Sequence, residues 1–257
     1  MADETALITG ASSGIGRELA YCFAADGADL VLVARREEAL RAVAREGEAE
    51  HGITAHVVPI DLANPEAPQT LFDQLVAEGI TVDVVVNNAG FGARGPVVEL
   101  DTQRQVDMVQ VNVTALTHLT RLFLPGMLDR GHGGVLNVAS TAAFQPGPNM
   151  SVYYATKAYV LSFTEGLTEE VRGTGVHVSC LAPGATDTEF VDRADMADTM
   201  LFKSGAMDPA PVARAGYEGF RANTTLVIPG AVNKLTAASV RFVPRLLARK
   251  IAQWLQT

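Results

Sequence analysis

Apolar residues gather in short unbroken runs, separated by longer stretches in which they recur every three to four positions. The runs at Ala6 to Thr9, Leu30 to Val33, Ala55 to Pro59, Val82 to Asn87, Gly134 to Ala139, Val176 to Leu181 and Thr225 to Ile228 predict strands. The periodic stretches predict helices over Ile15 to Ala25, Glu37 to Glu50, Pro65 to Glu78, Thr102 to Leu128, Val152 to Arg172 and Pro209 to Arg221. Valine and leucine runs without polar alternation belong to strands covered on both faces. Strand–helix alternation then calls for a parallel sheet with right-handed crossovers. The expected fold is α/β, a doubly wound parallel sheet of about seven strands with helices on both faces, whose ligands bind at the carboxyl ends of the strands.

Composition narrows this to one domain over residues 1–257: 48% of the positions are hydrophobic, and no linker or low-complexity tract divides them. The start, Met-Ala-Asp-Glu, lacks the basic and apolar segments of a secretion signal, and no apolar run approaches a membrane span. A soluble, cytoplasmic protein is expected. Cys22 and Cys180 read as small buried hydrophobes, and the five histidines are scattered, so neither a disulfide framework nor a metal site is expected. A net charge of −9 argues against nucleic acid as a partner. From Asn233 to Thr257, however, Lys234, Arg241, Arg245, Arg249 and Lys250 occur with no acid. With Val243, Leu246, Leu247, Ile251, Trp254 and Leu255 they describe an amphipathic helix. It is expected to pack on the body or across a subunit interface with its basic face wet, rather than on a membrane.

The first strand runs into Thr9-Gly-Ala-Ser-Ser-Gly-Ile-Gly16, and a helix begins at once. Gly10, Gly14 and Gly16 let the backbone turn tightly and approach a pyrophosphate, while Ser12, Ser13 and Ile15 stand at a helix amino terminus with free N–H groups. At this position of a Rossmann-type sheet the turn points to a dinucleotide. A cofactor without a 2′-phosphate would call for an acid after the second strand. The sequence there is Val33-Ala34-Arg35-Arg36, which favours NADP(H) with NAD(H) as the alternative, Arg35 ahead of Arg36. The competing reading pairs both arginines with Glu37 and Glu38. Further on, Tyr153 and Lys157 stand four apart in Ser151-Val-Tyr-Tyr-Ala-Thr-Lys157, with Ser140 upstream. On a helix they share a face, and a cation at about 4 Å would lower a phenol's pKa by roughly three units at an effective dielectric of 20.

Together these motifs resemble the short-chain dehydrogenase/reductase family in its compact single-domain branch, over essentially the whole chain. The resemblance rests on Thr9 to Gly16, Asp61-Leu62, Asn87-Asn-Ala-Gly90, Asn112, Ser140, Tyr153, Lys157 and Pro183-Gly184 with Thr188. It implies that Asp61 binds the adenine amino group and that Asn88, Ala89 and Gly90 line the adenosine ribose. Pro183, Gly184, Thr186 and Thr188 would hold the carboxamide, and Lys157 the nicotinamide ribose. Ser140 would bond the substrate oxygen, Tyr153 would act as general acid and base, and Asn112 would keep a helix irregular around a proton-passing water. Homodimers or homotetramers, built on the Val152 to Arg172 helix and the carboxyl-terminal elements, are implied as well.

Substrate residues are sought in Phe91 to Pro96, in Ala142 to Met150 including Gln145, and in a cover over residues 186–207 containing Phe190, Met196, Met200, Phe202 and Met207. Methionine and phenylalanine suit an apolar ligand, and the acids Asp187, Glu189, Asp192, Asp195 and Asp198 offer phosphorylated substrates nothing. A hydrophobic ketone or secondary alcohol is therefore expected, with a 3-oxoacyl thioester as the runner-up. A non-catalytic cofactor sensor on the same fold is the alternative from another class, but it would not need Ser140, Tyr153 and Lys157 together.

Overall fold

In the computed structural model, which describes residues 4–194 and 205–255, the apolar runs form β1 (Thr5–Thr9), β2 (Asp29–Ala34), β3 (Ala55–Pro59), β4 (Val84–Asn87), β5 (Gly134–Val138), β6 (His177–Leu181) and β7 (Leu226–Val227). They make one sheet in the order β3-β2-β1-β4-β5-β6-β7, every pairing parallel. The chain winds outward from β1 to β3, then returns to β4 beside β1 and winds the other way. Between β1 and β4 the crossovers leave in opposite directions, which opens a crevice at the carboxyl ends of the strands.

Period-two alternation divides the strand residues between two cores. Ile8, Leu32, Val86 and Leu136 meet Leu19 and Phe23 of α1 (Gly14–Ala25), Leu40 of α2 (Glu37–His51) and Phe220 of α8 (Pro209–Arg221). Their neighbours Leu7, Val31, Val85 and Val135 meet Leu71 and Leu75 of α3 (Ala67–Ala77), Leu119 and Phe123 of α5 (Leu116–Arg130) and Leu167 of α6 (Ser151–Glu170). Both faces of the sheet are covered, which is why its strands carry no polar alternation.

Two expected helices are broken in the structure. The helix expected over Thr102 to Leu128 is α4 (Thr102–Val109), a π-helical turn at Gln110–Ala115, and then α5. The tract expected as one basic amphipathic helix is α9 (Ala231–Ser239), a 3₁₀ turn at Val240–Phe242, and α10 (Arg245–Leu255). Pro244 causes that break, because the residue before a proline is pushed out of helical geometry and Val243 sits extended at φ −94°, ψ 132°. Within the tract Ala237 and Ala252 are buried, but Phe242 is 89% and Leu246 67% exposed, so packing on the body covers only part of its apolar surface. Two short elements had no periodic signal: a 3₁₀ turn at Thr141–Phe144 and α7 (Glu189–Arg193). Cys180 is buried as expected, whereas Cys22 is only partly so. Among the described residues no helix is long and apolar enough to cross a membrane.

Candidate active site

The crevice is one end of a continuous cavity of about 920 Å³ that runs along the carboxyl ends of the strands. At this end lies the glycine turn. Gly10 and Gly14 adopt φ of +68° and +55°, which L side chains rarely adopt. A Cβ on Gly10 would stand 2.7 Å from the Asn88 amide nitrogen, and one on Gly16 would strike both that nitrogen and the Gly10 carbonyl. A buried hydroxyl that sequence reasoning passed over secures the turn to β4. Thr9 Oγ1 accepts from the N–H groups of Asn88 at 3.0 Å and Ala89 at 2.9 Å, and donates to Val86 O. Asn88 Nδ2 donates back to Thr9 O at 2.9 Å, so this side chain braces the turn. Asn87 faces away, its Nδ2 bonded to Asn137 Oδ1 and Thr120 Oγ1.

At the end of β2 the two arginines differ. Arg35 stands 3.9 Å from Asp61 and is largely exposed. Arg36 reaches over the turn, its Nη2 donating to Ser13 Oγ at 3.0 Å and Ser12 Oγ at 3.2 Å, and its Nη1 to Glu189 Oε1 at 2.9 Å. Neither pairs with Glu37 or Glu38 as in the competing sequence reading; Glu37 accepts from Arg41 one helical turn on. Asp61 accepts from the Ala63 N–H at 3.0 Å, and Asp61 and Leu62 border the cavity.

At the far end α6 brings Tyr153 and Lys157 together beneath Ser140, which follows β5. Tyr153 is 9% and Lys157 6% exposed. Lys157 Nζ donates to Val138 O at 2.8 Å and lies 5.9 Å from the centre of the Tyr153 ring. Ser140 Oγ accepts from the Ala142 N–H at 3.1 Å and donates to Pro183 O at 3.4 Å, and it stands near enough to the Tyr153 phenol to pull its pKa down. The acidified phenol expected from the sequence is corrected here. Burial raises the Tyr153 phenol above its usual 10, against a smaller downward pull from Ser140. The same burial pushes the Lys157 ammonium down to about 8. The ammonium is turned to a strand carbonyl, and desolvation of both groups outweighs what it does for the phenol.

Asn112 lies in the π-turn, where the helix is irregular as the resemblance implied, but it does not line the cavity. It is 1% exposed, and its amide brackets the Phe91 backbone, accepting from N–H at 3.1 Å and donating to O at 3.0 Å, with a further bond to Thr156 Oγ1 at 3.0 Å. Gly90 sits between Asn112 and Lys157: a Cβ there would be 3.0 Å from Asn112 Oδ1 and 3.3 Å from Lys157 Nζ.

Of the substrate residues, Phe91, Ala142, Gln145, Met150 and Phe190 border the cavity, and Met196, Met200 and Phe202 lie outside the described residues. Phe190 packs on Tyr153 with ring centres 5.2 Å apart. The ends of the expected cover are joined: Thr186 bridges to Met207, and Asp187 N–H donates to Met207 O at 2.9 Å. Pro183, Gly184, Thr186 and Thr188 also line the cavity, and Thr188 adjoins the glycine turn, its methyl 2.9 Å from where a Gly14 Cβ would stand. A wall that sequence reasoning missed comes from the carboxyl-terminal tract, through Asn233, Thr236, Val240 and Ala252.

Fold and cavity together fit a dinucleotide-dependent oxidoreductase. Comparison with known proteins agrees: the family model described as short chain dehydrogenase matches residues 4–198. A short chain dehydrogenase of Pseudocercospora fijiensis is 38% identical over 200 residues, 76% of this chain and 64% of that protein, so this chain spans less than two thirds of that relative's length. Among solved structures, a short-chain dehydrogenase from Sphingobium yanoikuyae in complex with NADPH superposes with a TM-score of 0.83 at 32% identity, covering 93% of each chain. A bulky-bulky ketone specific alcohol dehydrogenase from Comamonas testosteroni gives 0.80 at 30% identity, covering 94% of this chain and 93% of that one. The chain belongs to the short-chain dehydrogenase family of oxidoreductases. The cleft fits the family's nicotinamide dinucleotide, since backbone without Cβ, two serine hydroxyls and two guanidinium groups gather at one end and a phenol at the other.

Proposed function

We propose that the protein is an NADP(H)-dependent oxidoreductase interconverting a hydrophobic ketone and its secondary alcohol, with Tyr153 as general acid and base. The reading rests on one observation, that Ser140, Tyr153 and Lys157 converge at the far end of the same cavity that the glycine turn opens. The bound nicotinamide supplies or accepts the hydride. Tyr153 Oη donates its proton to the carbonyl oxygen as negative charge grows there, and Ser140 Oγ holds that oxygen with a hydrogen bond placed in advance. A phenol raised by burial is fully protonated at neutral pH, the form that ketone reduction requires. Lys157, held by Val138 O, keeps a positive charge beside the phenol below about pH 8 and steadies the tyrosinate left behind.

Arg35 and Arg36 favour NADP(H), and the NADPH complex of the Sphingobium relative supports this. Phe91, Met150, Tyr154 and Phe190 give the substrate end an apolar wall, and the ketone specificity of the Comamonas enzyme supports a bulky substrate. The cover over residues 186–207 belongs to the same single domain in this reading. Exposed Val106, Val109, Leu128 and Tyr159 along α4 to α6 support assembly into a homodimer or homotetramer.

A panel of ketones, secondary alcohols and carrier-bound 3-oxoacyl thioesters, followed by nicotinamide absorbance with each cofactor, tests the proposal. NADPH-driven reduction of bulky apolar ketones is the predicted outcome. Turnover confined to thioesters, or confined to NADH, would overturn it.

A further inference from the structure

We infer that Glu189 is a specificity-determining residue, a built-in counter-charge at the 2′-phosphate end of the cleft that sets how strongly NADP(H) is preferred over NAD(H). The inference rests on the cofactor reading above and adds to it a residue of opposite charge. Both terminal nitrogens of Arg36 are engaged. Its Nη1 donates to Glu189 Oε1 at 2.9 Å, its Nη2 lies 2.9 Å from Glu189 Oε2, and Nη2 also serves the Ser12 and Ser13 hydroxyls. A carboxylate thus holds the guanidinium bidentately, in the manner a phosphate would adopt. The two groups are competitors for one fork.

The carboxylate's place is fixed by its neighbours in the chain. Thr188 packs its methyl against Gly14, and Phe190 packs its ring on Tyr153 at 5.2 Å, so the residue between them is carried to the rim above the glycine turn. Both partners remain partly wet, with side chains 43% and 44% exposed, so the pair is weak enough for a phosphate to displace. Glu189 therefore tempers NADP(H) binding without blocking it. Because NAD(H) has no group that competes for Arg36, its binding is untouched by the carboxylate.

The test is direct binding of NADPH and NADH, read by nicotinamide fluorescence or calorimetry, to the parent, Glu189→Gln, Arg36→Ala and the double variant, each first checked for parental thermal unfolding. The inference predicts that E189Q binds NADPH about three- to tenfold more tightly while NADH changes less than about twofold, and that the gain vanishes when Arg36 is also replaced. Unchanged or weaker NADPH binding in E189Q, with R36A still losing NADPH affinity, would overturn the inference and leave the cofactor reading standing. Equal tightening of both cofactors would also overturn it, since the carboxylate would then act on something other than the 2′-phosphate. R36A without effect on NADPH would remove the role of Arg36, and this inference with it.

Discussion

Lys157 carries a charged amine where water hardly reaches, and its titration reflects the cost. The unfolded chain holds that proton to about 10.5, whereas burial brings the folded amine down to about 8. Below pH 8 both states are protonated and the folded one bears the full penalty, about 3 kcal/mol. Between 8 and 10.5 the folded protein has shed the proton while the unfolded chain keeps it, so stability from this group rises with pH, and above 10.5 the penalty is gone. Lys157→Met should therefore stabilise the fold at pH 7 by about 1–3 kcal/mol, after allowing for the lost bond to Val138 O, while abolishing most turnover. Urea unfolding at pH 7 and pH 9.5 measures this, and the gain should shrink at the higher pH. A variant less stable than the parent at pH 7 would show that the ammonium is better solvated than its surroundings imply.

The π-turn between α4 and α5 has a comparable logic at the scale of an element. One widened turn points the Asn112 amide inward, where it satisfies both backbone groups of Phe91 and the Thr156 hydroxyl, and so fixes the loop after β4 against α6. Asn112→Leu keeps the volume but deprives both half-buried backbone groups of Phe91 of their partner, while the Thr156 hydroxyl keeps its bond to Tyr153 O, and should cost about 1–4 kcal/mol. Thermal or urea unfolding checks this; a loss below about 0.5 kcal/mol would mean that the bracket contributes nothing net. The elements were unevenly legible in the sequence. Strands such as Leu30 to Val33 lie within a residue or two of their expected ends because continuous burial leaves an unbroken apolar run. The π-turn was hidden because one extra residue barely disturbs the spacing between Thr102 and Leu128, and α7, at five residues, is too short to show a period. The Gly10 and Gly14 turn and the Tyr153 and Lys157 pairing were readable because near neighbours in the chain set their geometry, whereas the direction of the phenol's shift was not, because it depends on burial. The Arg36 bond to Glu189, spanning 153 positions, depends on the fold, as does the lid of Phe190 and Met150 that withdraws Tyr153 from water.

Across the whole molecule, a single cavity joins two sites that the chain builds from distant segments. The glycine turn, Ser12, Ser13 and Arg36 make one end at the β1–β4 switch point, and Ser140, Tyr153 and Lys157 make the other, beside β5. The α9 to α10 tract closes a wall from the far carboxyl end of the chain. Under the proposed function the glycine end supplies affinity and the phenol end supplies chemistry, so the two should separate under mutation. Tyr153→Phe removes one oxygen and leaves the glycine turn, Arg36 and Lys157 in place. Parallel measurement of NADPH affinity and ketone reduction for this variant and the parent is the most direct test. The account predicts NADPH binding within about twofold of the parent and turnover lowered by about a hundredfold or more. Turnover close to the parent's would contradict it.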